Sequence, residues 1–208
     1  MNAQISAPEI SATLLPEDRA RANLYALISR LFYAAPDAGL LAAIAGADEI
    51  VVEAENISLA QSWKSLTLAA AEANADAVQA EYDSVFIGTG KAEITPYASH
   101  YLADSMKESV LAQLRADLSA MGLARDPGAA EFEDHFAGLC EVMRYLVQIG
   151  SDNAALQEQK AFFMRYLVPC FVKFCEMVTG SPNTGFYKPV ARFTRAFFEV
   201  EKESFDMA

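Results

Sequence analysis

The stretch EFEDHFAGLCEVMRYLVQI, residues 131–149, decides how the rest of this chain is read. Phe132, Phe136, Leu139, Met143 and Leu146 step by four, three, four and three residues. That spacing gathers side chains into one stripe of an α-helix, whereas a strand needs a period of two. Asp126 followed by Pro127 reads as an N-cap and a first-turn proline, so this helix is expected to run from about 127 to 149. At about 100° per residue, Asp134, His135, Gly138, Val142 and Tyr145 fall on a second, mixed face away from the stripe, where Gly138 is expected to leave space.

The same period recurs outward in both directions. Pro16 suits the first turn of a helix reaching about Tyr33, with Leu24, Leu27, Ile28 and Leu31 on its inner face, and Pro36 opens a short second helix. A third helix carries Leu59, Trp63, Leu66 and Ala70; a fourth carries Val78, Tyr82, Val85 and Phe86 before Gly88 and Gly90 stop it. A loop, GTGKAEITPYAS, leads to a helix bearing Val110, Leu111, Leu114, Leu118 and Met121, ended by Gly122. Beyond Gly150, ALQEQKAFFMRYLVPCFVKFCEMV is helical on both sides of Pro169, which should kink or divide it. A last helix uses Phe186, Tyr187, Val190, Phe193, Phe197 and Phe198 to fill a core. The expectation is an all-α chain: one helical domain over 1–208, a poorly ordered tail over 1–14, and a candidate hinge, GLARDPGAA, at 122–130.

Of 208 residues, 53% are hydrophobic and 21% charged, which leaves no compositional case for disorder. Sixteen Lys and Arg against 28 Asp and Glu give a net charge of -12, which repels phosphate backbones and attracts basic peptides. Nucleic acid is therefore not an expected partner. Cys140, Cys170 and Cys175 include no CxxC pair, which fits a reducing compartment. The first twenty residues lack a basic start followed by an apolar run, and AGLLAAIAGA is far short of the ~20 residues of a membrane span. A cytoplasmic protein without stable membrane insertion is the expectation.

Glu131, Glu133, Asp134 and His135 crowd into five residues. Di-iron bundles use Glu-x-x-His on two helices; here Glu131 and His135 are four apart and the only other histidine, His100, lies in a loop, so no metal is expected. Acid-base chemistry by Asp134 and His135 is disfavoured because helix neighbours diverge in direction and no nucleophile stands near; no catalytic residue and no cofactor is expected. Gly88, Gly90 and Lys91 lack phosphate-loop spacing, yet a nucleotide-binding protein or enzyme using Asp134 and His135, with Lys91 near a phosphate, stands as the alternative. For Glu131 the bland reading is charge at a helix start. Asp134 and His135 beside Gly138 look like a recognition surface, and Pro96, Tyr97, Ser99 and Tyr101 could wall an apolar ligand.

Taken in order, EYDSVFIG, PYASHY, EFEDH and FYKPVARFTRAFFEVE resemble the TorD/DmsD/NarJ family of molybdoenzyme-specific chaperones, over about residues 25 to 201. The family's Tyr-x-x-Leu-Phe-x-Gly helix end falls on Tyr82, Val85, Phe86 and Gly88, with valine for leucine. Its Pro-x-x-Ser-x-Tyr loop falls on Pro96, Ser99 and Tyr101, and its Glu-Pro-x-Asp-His signature on Glu131, Phe132, Glu133, Asp134 and His135, with phenylalanine for proline. The resemblance implies a cytoplasmic chaperone. It would bind the twin-arginine leader and the apo form of an oxidoreductase, assist molybdenum-cofactor insertion and prevent premature export. Pro96, Tyr97, Ser99, Tyr101, Glu131, Asp134, His135, Gly138 and Tyr145 are the expected peptide-binding residues, in a monomer or a dimer swapped through the hinge.

Overall fold

Pro16 opens the first helix, α1 (Pro16–Tyr33), where its missing N–H is one of the donors a helix start leaves unpaired anyway. The structure is a computed structural model and describes residues 14–51, 56–88, 90–102, 107–126, 128, 130–150 and 152–207. The expected tail before residue 14, and Pro127 within the expected hinge, lie outside these. Asp37 caps α2 (Ala38–Ala45) by accepting the Leu40 N–H at 2.8 Å, so Pro36 stands before the cap. There follow α3 (Ile57–Glu72), α4 (Ala75–Tyr82), the short α5 (Ser99–Leu102), α6 (Lys107–Ala120), α7 (Phe136–Ile149), α8 (Asn153–Phe162), α9 (Val168–Gly180) and α10 (Tyr187–Met207). Among the described residues there is no strand, only an isolated antiparallel bridge between Tyr97 and His135. The chain is all-α.

Among the described residues two π-turns interrupt the helices. Asp83–Ile87 extends α4, with the Gly88 N–H donating to the Asp83 carbonyl at 2.7 Å, and brings both Val85 and Phe86 into the interior. Gly88 then leaves at φ 65°, and a Cβ there would lie 2.1 Å from the Lys91 carbonyl oxygen. Only glycine allows this exit. Phe163–Leu167 joins α8 to α9 just before Pro169. A proline ring collides with the carbonyl four residues earlier, here Arg165, and the wider turn falls on that residue. Pro169 is thus accommodated within a continuous helical path.

α1 lies along α7, while α10 packs against α9 and α3. Tyr25, Ile28, Leu31 and Phe32 carry the buried face of α1; Leu24 and Leu27, expected there, are only partly buried. Aromatic rings fill the centre: Phe174 packs on Phe136 at 4.6 Å and on Phe32 at 5.0 Å, and Tyr187 on Phe86 at 5.0 Å. All three thiols are buried, and burial pushes their pKa values up, that of Cys170 to about 12.

α7 departs from expectation at its start. The residues before Phe136 are not helical, because their backbone groups pair elsewhere. The Ala98 N–H donates to the Asp134 carbonyl at 2.8 Å, and the Phe136 N–H to the Pro96 carbonyl at 2.7 Å. His135 is the N-cap, its Nδ1 accepting the Ala137 N–H at 3.2 Å. Asp126 accepts the Gly128 N–H at 2.6 Å and closes a local turn instead. Phe132 therefore leaves the apolar stripe and stands 54% exposed, while Phe136, Leu139, Met143 and Leu146 keep to it.

Candidate functional site

The cross-pairing of residues 96–99 with 134–136 converts two loops into one wall. Behind it, Asp134 is 3% exposed and its Oδ2 accepts the Ser99 N–H at 3.2 Å. The expectation that Asp134 and His135 project from an exposed helix face is thus corrected: both are buried, since they precede the helix and face the 96–99 loop. Tyr97 donates its hydroxyl to Glu131 Oε2, and its ring meets that of His135 edge-on at 5.3 Å. Burial, and then the hydrogen bond to Glu131, hold the Tyr97 phenol above its ordinary pKa. The Tyr101 hydroxyl donates to the Thr95 carbonyl at 2.8 Å.

In front of this wall lies an open groove of about 420 Å³ between α1, α7 and the 123–133 segment. Tyr33, Leu118, Leu123, Phe132, Val142 and Tyr145 supply its apolar surface. Asp126, Glu131, Glu133 and Glu141 supply four carboxylates against the guanidiniums of Arg125 and Arg144. Glu133 is held by Arg115 through two contacts of 3.0 Å, and Glu141 by Arg144 at 2.7 Å. Among the described residues no cation pairs with the carboxylates of Glu131 and Asp126, which accept from the Tyr97 hydroxyl and the Gly128 N–H; the Arg125 guanidinium donates to the Glu131 backbone carbonyl at 3.1 Å.

Of the residues singled out from sequence, Glu131, His135, Gly138 and Tyr145 line this groove. Pro96, Tyr97, Ser99, Tyr101 and Asp134 are not part of its lining; Pro96, Tyr97, Ser99 and Asp134 brace the segment that is, while Tyr101 bonds back within its own loop. Gly138 borders the groove, but a Cβ there would approach the Glu133 carbonyl oxygen to 3.3 Å, so its smallness also lets that backbone pass close by. Sequence reasoning missed Ser29, Tyr33, Leu118, Leu123 and Arg125. A small polar residue, Ser29, between Tyr25 and Phe32 on the buried face of α1 was the one available signal.

His135 is 3% exposed, and burial lowers its pKa from 6.5 against the opposing pull of Glu131 and Asp134. Among the described residues no group of three or more His, Cys, Asp or Glu is arranged to hold a metal ion. No described helix is long and apolar enough to cross a membrane.

Fold and groove together define a helical protein with an open, acidic, apolar-walled cleft. The family profile described as nitrate reductase delta subunit matches residues 53–176, more than half of the chain, and the chain belongs to that family of molybdoenzyme maturation chaperones. The match includes both segments of the wall and most of the groove. No curated protein matches the chain.

Proposed function

We propose that the protein is a cytoplasmic chaperone that binds the twin-arginine leader and the apo form of a molybdenum-cofactor oxidoreductase, assisting cofactor insertion and preventing premature export. It has no catalytic cycle of its own. The observation that carries this reading is the groove, in which two carboxylates without a cation partner, Glu131 and Asp126, stand beside a continuous apolar surface. A leader of this kind is a basic segment followed by an apolar one. Its arginines would form charge-assisted hydrogen bonds with the carboxylates, and its apolar residues would be stabilised by burial at roughly 25 cal/mol per Å². Asp134, engaged by Ser99, acts from behind by fixing the wall.

Isothermal titration calorimetry with a synthetic peptide carrying two consecutive arginines and an apolar stretch tests this. Binding to the full chain should weaken as salt rises. Glu131→Gln should lower affinity about tenfold, the equivalent of ~1.4 kcal/mol. Equal affinity for Glu131→Gln and Tyr145→Ala, or a peptide with glutamines in place of arginines binding as well, would remove the groove from the reading.

A further inference from the structure

Two polar side chains in the groove have hydrogen-bonding capacity that the chain does not use. His135 Nδ1 accepts the Ala137 N–H, which places the proton of the neutral ring on Nε2. Among the described residues nothing accepts that Nε2–H. Ser29 is 5% exposed. The hydroxyls of Ser62, Ser65, Thr67 and Thr194 return to a carbonyl three or four residues earlier, whereas that of Ser29 meets no hydrogen-bond partner among the described residues. No fully buried side-chain nitrogen or oxygen of the described residues lacks a hydrogen bond. Both open atoms must therefore border accessible space, and both residues line the groove. Ser29 sits one turn before Tyr33 on α1, and the Tyr33 ring meets that of His135 at 6.4 Å, so the two groups share one end of the cleft.

A nearly buried donor and a hydroxyl in an apolar setting call for a matching partner. A guanidinium brings only donors and finds none to accept them at Nε2–H. A carboxylate could accept from both but would enter among Asp126, Glu131, Glu133 and Glu141. A neutral amide brings an acceptor and a donor without charge. We propose that Ser29 and His135 form a subsite for a neutral amide of the bound segment, a peptide group or an Asn or Gln side chain. Its carbonyl accepts from His135 Nε2–H and its N–H donates to Ser29 Oγ. This rests on the leader-binding reading and extends it: arginines go to the Glu131 and Asp126 mouth, and the uncharged backbone beside them goes to the floor.

The test uses the two imidazoles of the chain, His100 and His135. Long-range 1H–15N spectra of the full-length protein should show His135 as the Nε2–H tautomer, its signals identified by their loss in His135→Asn, which preserves a capping oxygen for α7. Titration with the twin-arginine peptide, and separately with N-methylacetamide, should shift the His135 ring signals. Ser29→Ala should weaken peptide binding three- to tenfold with an unchanged melting temperature. A peptide that binds by calorimetry yet leaves the His135 ring unmoved, with Ser29→Ala at full affinity, overturns the subsite and spares the leader reading. N-methylacetamide shifting His135 without any peptide binding sinks the leader reading and keeps the subsite. If neither probe shifts the ring, water alone occupies the floor and the subsite is wrong.

Discussion

The acids around α10 and the acids at the groove are chemically alike and differently placed. Glu201 is 3% exposed and accepts from Arg21 Nε at 2.8 Å, Arg21 Nη2 at 2.9 Å and the Tyr25 hydroxyl at 2.9 Å. Burial works against the Arg21 charge, but Glu201 outweighs it and pushes the guanidinium pKa up. Glu81 of α4 accepts the N–H groups of Gly185, Phe186 and Tyr187 at 2.8 to 2.9 Å, closing the open donors at the start of α10. Glu93 accepts from Ser181 and Asn183, which hold its pKa low. At the groove, Glu131 and Asp126 meet single neutral donors of their own chain. The first group is engaged by the fold; the second faces an open groove with no cation on its carboxylates.

Breaking the first group should cost most. Glu201→Ala leaves Arg21 with only Asp18, at 3.0 Å, and Gln159 in a mostly buried site and strips the Tyr25 hydroxyl of its acceptor, with an expected loss of about 3 kcal/mol, read from urea unfolding. A loss under about 1 kcal/mol, the range of an exposed pair, would erase the contrast. Glu81→Ala strips an acceptor from three N–H groups, and about 1–2 kcal/mol is expected because water can replace part of it. Neither variant should change peptide affinity per folded molecule. Glu131→Gln should show the reverse signature, with affinity down about tenfold and the urea midpoint within ~0.5 kcal/mol of wild type.

The smallest effect sharpens the difference through pH. The folded pKa of His135 lies below 6.5, so between 6.5 and that value the unfolded chain takes up a proton that the folded chain refuses. The His135 contribution is complete above pH 6.5 and declines as pH falls through that window. The carboxylates of Glu93, Asp117 and Glu133, whose pKa values are lowered by Ser181, Tyr166 and Arg115, contribute only further down, below about 4.5. Urea midpoints from pH 7.5 to 5.5 should fall for wild type and stay flatter for His135→Asn.

Much of this was legible beforehand. The boundaries of α1, the apolar residues of α3, and Phe136, Leu139, Met143 and Leu146 follow from period and proline chemistry alone. The site was legible as a neighbourhood and misread as a face. Extending the helical pattern back through Asp134 gave that residue an outward direction, because nothing in residues 126–135 announces that their backbone pairs with residues 96–98 some forty positions earlier. Gly138 and Tyr145 were picked out by local spacing and Glu131 by the family resemblance, while Ser29 and Tyr33 came from an element about a hundred residues away.

Local sequence therefore determined the class of the fold, since hydrophobic period and capping act within a turn or two of helix. It also determined the family motifs and the acidic balance. Only the tertiary structure decided which acids are consumed and which stay available. That choice depends on the donor each carboxylate meets after distant segments close over it: Ser99 for Asp134, Arg21 for Glu201, and for Glu131 one phenol at the edge of an open groove.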